Sequence, residues 1–433
     1  MTGLKITSRI GVLAVALGMT LSLVAGADDA PFAPPAPTGP YGVGYSRAVL
    51  VDQSRAESAT GDADDHRALA VQVWYPATVP LGAEAMTLVP EPAQAARMMA
   101  MNLDLPLETF DYLNDIKGHS FAGAPVADGR RFPVLVYSHA FGLFSAENSQ
   151  LMEQLASHGY IIFAIDHPFQ AAWVNLGEGK SATFNPAAYL DPDMTPEKGA
   201  ALEAALVGMH KAADYEGYLS LAREFILGQQ SYVKGISLWL DDTDFVIDQL
   251  EAKAVPAFAQ LYHAMNMERL GVFGMSYGGA TAGMTCLHDS RCKAGINIVG
   301  VQFGEHDMKF PITVPFMMLN SDQNYYTGET GRGVPVNFEA NDFVFHEAKG
   351  PVYSLTVADA KHMNFCDLAH LMPEGKGEAF FGSVSPDAVN KVVNTYVLAF
   401  FDRYLKGKST PVLDGGVPED LPVLEFIQRN TDE

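Results

Sequence analysis

The sequence predicts an α/β fold in which helices flank a mostly parallel sheet of eight strands. Short runs of β-branched and aliphatic residues alternate with helical stretches, which is the pattern of a parallel sheet covered on both faces. The composition, 48% hydrophobic and 18% charged, supplies enough apolar side chains for a large core and excludes a disordered or fibrous chain. The predicted strands are residues 48–51, 68–75, 132–137, 160–165, 270–273, 294–299, 316–319 and 352–357.

Three helices are predicted beside the sheet. Residues 146–158 and 278–287 each follow a strand directly, and residues 385–405 repeat apolar side chains three to four positions apart, as on a helix with one buried face. Between the fourth and fifth strands, about residues 170–260 are predicted to form a helical insertion. An insertion there shapes the entrance to a site, and both a fixed cap and a mobile lid remain open.

Residues 1–27 are predicted to be a signal peptide. Lys5 and Arg9 precede an apolar run, residues 10–24, which ends in the small residues 25–27 of a cleavage site. The run is too short to span a bilayer comfortably, so export to the periplasm or out of the cell is expected, with no stable membrane span after cleavage. The alternative is that the segment is retained as a membrane anchor.

The rest of the chain is predicted to contain a Pro- and Ala-rich linker, residues 28–38, and one large domain, residues 39–433, with the helical insertion. The formal net charge is −23, from 51 acidic and 28 basic residues. Because a field of this sign repels polyanions, nucleic acid is not expected as a partner. The oligomeric state stays open.

Two of the three cysteines, Cys286 and Cys292, lie close together in the sequence around a predicted helix end. In an oxidising compartment they are placed to form a disulfide, and two reduced thiols are the alternative. Cys366 is then left over, and we interpret it as a packing residue.

The most specific local pattern is G-x-S-x-G at residues 274–278, with Ser276 at its centre. It follows an apolar strand and precedes a helix rich in small residues, which is the context of a nucleophile elbow. Glycines are needed because the turn is too sharp for side chains, and the serine is held in a strained conformation with its hydroxyl exposed. Ser276 is therefore the predicted nucleophile.

A serine hydroxyl needs a positioned imidazole to remove its proton. His362 follows the last predicted strand by a short loop and is the predicted general base. The tetrahedral intermediate also needs two backbone donors. The amide of Tyr277, directly after the nucleophile, is one candidate, and the amide of Phe141, in the loop after the third strand, is the other.

Six segments spread along the chain carry a family resemblance: residues 39–45, 73–76, 138–142, 155–160, 278–281 and 362–365. In this order they resemble the platelet-activating factor acetylhydrolase family of the plasma, lipoprotein-associated type, and its bacterial relatives. This resemblance implies the α/β-hydrolase fold, metal-free ester hydrolysis, and a preference for short or oxidised acyl groups on lipid-like esters. Two positions depart from the family: Ala140 replaces a glycine, and Val299 stands where the family has its catalytic acid.

A triad without its acid would leave His362 without orientation and its cation without support. Asp322 follows the seventh predicted strand, which is the position that most α/β-hydrolases use for the acid, and it is the predicted third member. An Asx turn is the alternative reading of Asp322. Glu305 and Asp307 are the remaining candidates.

Together these residues predict a serine hydrolase that cleaves short-acyl or lipid-like carboxylic esters through an acyl-enzyme. A lapsed hydrolase that only binds, and a related amide or polyester hydrolase, are the alternatives. The expected partner is a small ester or lipid-like substrate. The sequence contains no metal-binding motif, phosphate loop or dinucleotide fingerprint, so no cofactor and no metal are expected.

Overall fold

The structure is a computed structural model, and it describes most of the chain. The predicted signal peptide and the first part of the predicted linker lie outside the described residues. Thr38, at the end of that linker, donates its amide to Gln154 at 2.9 Å. The described residues are 32–62, 64–102, 105–185, 194–304, 309–322, 338–373 and 375–431.

Strands and helices alternate along much of the chain. The strands are β1 Gly42–Ala56, β2 His66–Ala77, β3 Ser120–Ala122, β4 Phe132–Ser138, β5 Ile161–Asp166, β6 Trp173–Gly177, β7 Lys180–Thr183, β8 Met265–Met275, β9 Cys292–Ile298, β10 Phe316–Ser321, β11 Val352–Val357 and β12 Val423–Arg429. The helices are α1 Pro92–Asn102, α2 Ser149–Ser157, α3 Pro196–His210, α4 Tyr215–Leu227, α5 Gln230–Glu251, α6 Tyr277–His288, α7 Asp342–Glu347, α8 Leu368–Leu371 and α9 Pro386–Lys406.

One large sheet organises the fold, with the strand order β12-β11-β10-β9-β8-β4-β5-β2-β1-β3. Its central strands, from β11 to β5 in this order, are all parallel, while β2 and β12 join antiparallel. The predicted mostly parallel sheet is confirmed, and all eight predicted strands belong to it. Among the described residues the sheet has ten strands, so the predicted count of eight was too low.

The two additional strands lie at the edges of the sheet. β3 has only three residues, too few to produce a recognisable pattern, and β12 follows the terminal helix with largely exposed or half-buried side chains. Neither resembles the continuous apolar runs of the buried central strands, such as β4 and β10, where every residue is buried.

Helix α9 covers one face of the sheet, as its apolar repeat predicts. It begins after Ser385, whose side chain accepts a hydrogen bond from the Ala388 amide, and it ends at Gly407 with φ 65°. The predicted apolar residues are all buried: Val389, Val392, Val393, Tyr396, Val397, Phe400 and Phe401.

The insertion between β5 and β8 is not entirely helical. It starts with the antiparallel hairpin β6–β7, and the helices α3, α4 and α5 follow. The prediction of a helical insertion was therefore wrong for its first residues. Side chains of Thr195 and Asp214 cap α3 and α4 by accepting hydrogen bonds from backbone amides.

Cys286 and Cys292 form a disulfide that joins the last turn of α6 to the start of β9, with the two Cα atoms 5.0 Å apart. Cys366 is a buried free thiol. In the part of the chain that the structure covers, no helix combines the length and the apolar character that a membrane crossing requires.

Candidate active site

Ser276 occupies a sharp turn between β8 and α6. Its backbone angles, φ 56° and ψ −120°, lie in a region that residues with side chains rarely adopt. A Cβ at Gly278 would overlap the carbonyl oxygen of Ser138, so only glycine fits there. Ser276 is half-buried while its neighbours on both sides are buried, so the turn presents this residue at the surface of the site.

The Ser276 hydroxyl forms no hydrogen bond to any residue that the structure describes, His362 included. Nucleophile–base hydrogen bonds are often long or misaligned before substrate binds. The hydroxyl is therefore not committed to a structural partner.

His362 begins a short 3₁₀ turn after β11, and the residue is half-buried. This burial lowers the pKa of His362 to about 4, and a hydrogen bond to the Val299 carbonyl opposes the shift. The imidazole is thus neutral at neutral pH, which is the state that a general base requires.

The turn after β9 contacts both Ser276 and His362. The Ser276 amide donates to the Ile298 carbonyl at 2.7 Å, and the next carbonyl, that of Val299, faces His362 and raises the pKa of its imidazole. Val299 has φ 50°, which is unusual for a β-branched residue. Sequence reasoning found Val299 only as a missing acid, because the role of its main-chain carbonyl depends on backbone direction and leaves no trace in the side chain.

Asp322 directly follows β10 and is buried, at 2% exposed. Its Oδ2 accepts a hydrogen bond from the Asp359 amide at 2.9 Å, and its own amide donates to the Ala360 carbonyl at 2.8 Å. Both bonds hold the base loop, which we define as residues 358–367. Among the described residues no hydrogen bond joins the His362 imidazole to Asp322, so the acid role of Asp322 stays a prediction. Glu305 and Asp307, the other predicted acids, lie outside the described residues.

The loop of residues 139–142, here called the oxyanion loop, lies against the start of α6. The Gly278 amide donates to the His139 carbonyl at 3.1 Å, and the rings of Phe141 and Tyr277 meet edge to face with centroids 5.8 Å apart. The residues of both predicted oxyanion donors are therefore neighbours beside Ser276.

Three further hydrogen bonds hold the oxyanion loop from behind. The partners outside the loop come from two parts of the chain, so the loop conformation does not depend on one contact. They join the Ala140 amide to Glu147 Oε1 (2.7 Å), the His167 amide to His139 Nε2 (3.1 Å) and the Gly142 amide to the Gln170 carbonyl (2.8 Å).

A second serine–histidine–aspartate arrangement lies beneath the oxyanion loop. His167 contacts Asp242 at 2.8 Å and the Ser138 hydroxyl at 3.2 Å, and Arg67 pairs with Asp242 at 2.7 Å. Burial lowers the pKa of His167 to about 4, opposed by its bond to Asp242. Because Ser138, His167 and Asp242 are at most 2% exposed, substrate cannot reach them. This network supports the loop, and sequence reasoning missed it.

Aromatic side chains surround the elbow on the side of the insertion. Phe141, Tyr232, Tyr277 and Phe303 form what we call the aromatic wall, with Phe141 and Tyr232 edge to face at 5.6 Å and Tyr232 stacked on Phe303 at 5.4 Å. The Tyr277 hydroxyl donates to the Tyr232 carbonyl at 2.6 Å, which ties α6 to α5. Apolar and planar groups suit such a surface.

Within the described ranges, no cluster of three or more histidine, cysteine or acidic side chains is arranged to hold a metal ion.

Comparison with known proteins gives the family. A sequence profile of platelet-activating factor acetylhydrolase, isoform II, matches residues 32–189 and 226–412. The chain belongs to this family. The unmatched stretch between the two ranges contains α3 and most of α4, so this part of the insertion is outside the family's shared pattern.

Relatives named platelet-activating factor acetylhydrolase are distant. The protein of Cavia porcellus is 24% identical over 287 residues, which cover 65% of this chain and 59% of that protein. The protein of Gallus gallus is 21% identical over 304 residues, covering 69% of this chain and 68% of that protein. The chain therefore spans less than two thirds of the first of these relatives.

A solved structure of ferulic acid esterase from Streptomyces cinnamoneus is also similar, with 25% identity and a TM-score of 0.64 over 90% of this chain and 98% of that one. That enzyme is an α/β-hydrolase, so the predicted fold class is confirmed. The family model and this structural neighbour both carry the names of ester-cleaving enzymes.

Proposed function

We propose that the protein hydrolyses carboxylic esters through an acyl-enzyme formed on Ser276. The observation that carries this proposal is the strained elbow: Ser276 is held at φ 56° with its hydroxyl uncommitted, and the turn after β9 links it to a neutral His362. His362 removes the hydroxyl proton as Ser276 attacks the acyl carbon, and then returns it to the leaving alcohol. Water, activated by the same imidazole, releases the acid.

The oxyanion of the tetrahedral intermediate is bound by the amides of Phe141 and Tyr277 in this scheme. Their support is the packing of the oxyanion loop against the start of α6. Asp322 is the proposed acid. Its support is the pair of hydrogen bonds that join it to the base loop, the segment that contains His362.

The proposed substrates are short-acyl or lipid-like esters. The acetylhydrolase family favours this class, and the aromatic wall offers an apolar surface beside the nucleophile. The ferulic acid esterase neighbour and the aromatic residues of the wall also suit planar acyl groups, so an aromatic ester is the second candidate within the same chemistry. Amide or polyester cleavage is a further alternative, since the same catalytic residues serve several leaving groups.

A lapsed hydrolase that only binds esters is the competing proposal, and Val299 at the family's acid position is the observation that favours it. Export to the periplasm or the medium is proposed from residues 1–27. The Cys286–Cys292 disulfide is consistent with an oxidising compartment.

The test is hydrolysis of a p-nitrophenyl ester series from acetate to palmitate, with methyl ferulate alongside and the Ser276→Ala variant as the blank. The proposal predicts activity that is absent from the blank and highest on the shortest chains. Methyl ferulate as the best substrate would move the assignment to aromatic esters. No activity above the blank on any ester would favour the binding protein.

A further inference from the structure

Glu147 is a buried carboxyl group directly behind the oxyanion loop, and the catalytic scheme above does not use it. Its Oε1 accepts hydrogen bonds from the Ala140 amide at 2.7 Å and from the Tyr137 hydroxyl at 2.6 Å. Its Oε2 has no hydrogen-bond partner among the described residues, and the residue is 1% exposed. A buried oxygen without a partner is costly when it carries charge, so the geometry favours a neutral carboxyl group.

The same residue also reaches the base loop through its main chain. The Glu147 carbonyl accepts a hydrogen bond from the Asp367 amide at 2.8 Å. The next side chain, that of Asn148, donates to the Phe365 carbonyl at 2.7 Å. Glu147 therefore lies at the junction of the two segments that carry the proposed oxyanion donor and the proposed base.

Burial raises the pKa of Glu147 to about 8, and the hydrogen bonds from Tyr137 and Ala140 oppose this shift. The charges of Asp166 and Asp367 raise it further. The carboxyl group is thus protonated at neutral pH and loses its proton in the mildly alkaline range.

Four ionisable groups face Glu147 from the surrounding elements. Tyr137 lies on β4 and Cys366 lies in the base loop, and burial raises the pKa of each well above its ordinary value, so both remain neutral. Asp166 ends β5, and burial raises its pKa. Burial raises the pKa of Asp367 to about 7, which makes it the neighbour whose titration must be separated from that of Glu147.

We propose that Glu147 is a positioning residue for the ester hydrolysis proposed above, and that its neutral form is the active one. The neutral carboxyl group fixes the Ala140 peptide, and with it the adjoining amide of Phe141, in the direction where the oxyanion develops. When Glu147 ionises, a buried negative charge stands behind the oxyanion loop and opposes the negative charge that forms on the substrate oxygen. Turnover then falls although Ser276 and His362 are unchanged.

The experiment is the pH profile of kcat on p-nitrophenyl acetate for the wild type and Glu147→Gln, with Ser276→Ala subtracted. Glutamine keeps an acceptor oxygen for both donors and cannot ionise. The wild type should lose turnover with a midpoint of about 8. Glu147→Gln should retain kcat within about threefold at pH 7, with KM unchanged, and should lack this alkaline limb. An alkaline limb that persists unchanged in Glu147→Gln overturns the proposal.

Two further variants separate Glu147 from its neighbours. Tyr137→Phe removes a donor that stabilises the carboxylate, so it should move the alkaline limb to higher pH. Asp367→Asn removes a charge that raises the pKa of Glu147, so it should keep the limb and move it to lower pH. Loss of the limb in Asp367→Asn would identify Asp367 as the titrating group and contradict the proposal.

A folding measurement provides a readout that does not depend on turnover. Because Glu147 is protonated in the folded protein up to pH about 8, folding takes up a proton above the pKa of an ordinary glutamate. The free energy of unfolding of the wild type should therefore fall relative to Glu147→Gln as pH rises from 5 to 8. An equal pH dependence in both proteins contradicts the neutral carboxyl group. Absence of wild-type hydrolysis instead contradicts the proposed function, and with it the catalytic half of this proposal.

Discussion

Two residues at the centre of the site have backbone angles that ordinary side chains avoid. Ser276 has φ 56° and Val299 has φ 50°, and each costs on the order of 1–3 kcal/mol of strain. The surrounding sheet holds both in place: the Ser276 amide donates to Ile298 at 2.7 Å and the Val299 amide donates to Leu319 at 2.8 Å. These hydrogen bonds at the strand ends keep both residues in their strained conformations. The direction of the Ser276 side chain and of the Val299 carbonyl is fixed in this way.

At this residue scale, the neutral state of His362 sets the acid limit of activity. The base works only when unprotonated, and burial lowers its pKa to about 4. The kcat/KM of the free enzyme should therefore fall only as pH drops through about 4, well below the 6.5 of an ordinary histidine. The measurement is the pH profile of kcat/KM on a neutral ester, with the enzyme's folded state followed by circular dichroism. If kcat/KM of the folded enzyme instead falls at a pH near 6.5, the imidazole is not held as described.

The role of Asp322 is the most open of the proposed site roles. If its carboxylate orients and supports the His362 cation, Asp322→Asn should lower kcat by about 10²–10⁴-fold with little change in KM. Steady-state kinetics on the best ester measures this effect.

Asp359→Asn provides a control for Asp322→Asn. It changes a side-chain carboxylate of the base loop and keeps the main-chain amide of residue 359, which donates to Asp322. It should keep kcat within about threefold. Equal turnover of Asp322→Asn and wild type would remove Asp322 from the triad.

At the scale of secondary-structure elements, helix α5 joins the insertion to the catalytic turn. Trp239 on this helix stacks on His167 with centroids 3.8 Å apart, and its ring meets Tyr277 edge to face at 4.9 Å. The Trp239 indole also donates to Gln170, whose carbonyl accepts from Gly142 of the oxyanion loop. In this arrangement α5 supports the site directly.

The contact between α5 and the elbow leads to a test with two glycines of the insertion. A Cβ at Gly235 would lie 2.8 Å from the Tyr277 hydroxyl, whereas a Cβ at Gly199 on α3 would meet nothing within 4 Å. Gly235→Ala should displace Tyr277 and lower kcat/KM roughly tenfold. Gly199→Ala should leave kcat/KM unchanged and stabilise the protein by about 0.5–1 kcal/mol. Kinetics and thermal unfolding of both variants check this, and equal kinetics would show that α5 does not position Tyr277.

At the scale of the whole molecule, a buried ion pair connects the sheet to the insertion. Arg67 on β2 and Asp242 on α5 are both buried, at 1% and 0% exposed, and their charged atoms are 2.7 Å apart. Burial alone would raise the pKa of Asp242, but the Arg67 charge and the bond from His167 lower it below the ordinary value. The two residues are far apart in the sequence, so the pair forms only when the insertion packs against the sheet.

Asp242→Asn should destabilise the protein by about 3–5 kcal/mol, because it leaves the Arg67 charge buried without its full partner. Asp248 lies on the same helix, and its carboxylate pairs with Arg291 at 63% exposure. Asp248→Asn should therefore change stability by less than about 1 kcal/mol. Denaturant unfolding gives both values, and similar losses for the two variants would contradict a special role for the buried pair.

The parts of this fold that the sequence predicts are those with a local pattern. The buried strands are continuous apolar runs, and the elbow is a short motif around Ser276 with a steric reason for each glycine. The hairpin β6–β7 and the edge strand β12 have no such pattern, since their side chains are partly exposed and polar. They form because a neighbouring strand or loop is present, which no local window can indicate.

The candidate site also has residues that the sequence predicts and residues that it does not. Ser276 and His362 follow from motif and position, whereas Val299 lies far from His362 in the sequence and Glu147 contacts both the oxyanion loop and the distant Asp367. Every residue has a main-chain carbonyl, so the residue type at position 299 does not indicate an acceptor. A glutamate in a helix-like stretch has the same periodicity whether it is buried or exposed. Their roles become visible only when the chain is folded.

The most direct test of the central claim is covalent labelling with a fluorophosphonate, followed by intact mass and peptide mapping. This reagent reacts with an activated serine and reports the nucleophile itself, independently of the natural substrate. We expect one adduct per chain, on the peptide that contains Ser276, with labelling abolished in Ser276→Ala and strongly slowed in His362→Ala. An adduct on another residue, or an unlabelled wild type that is folded, would contradict it.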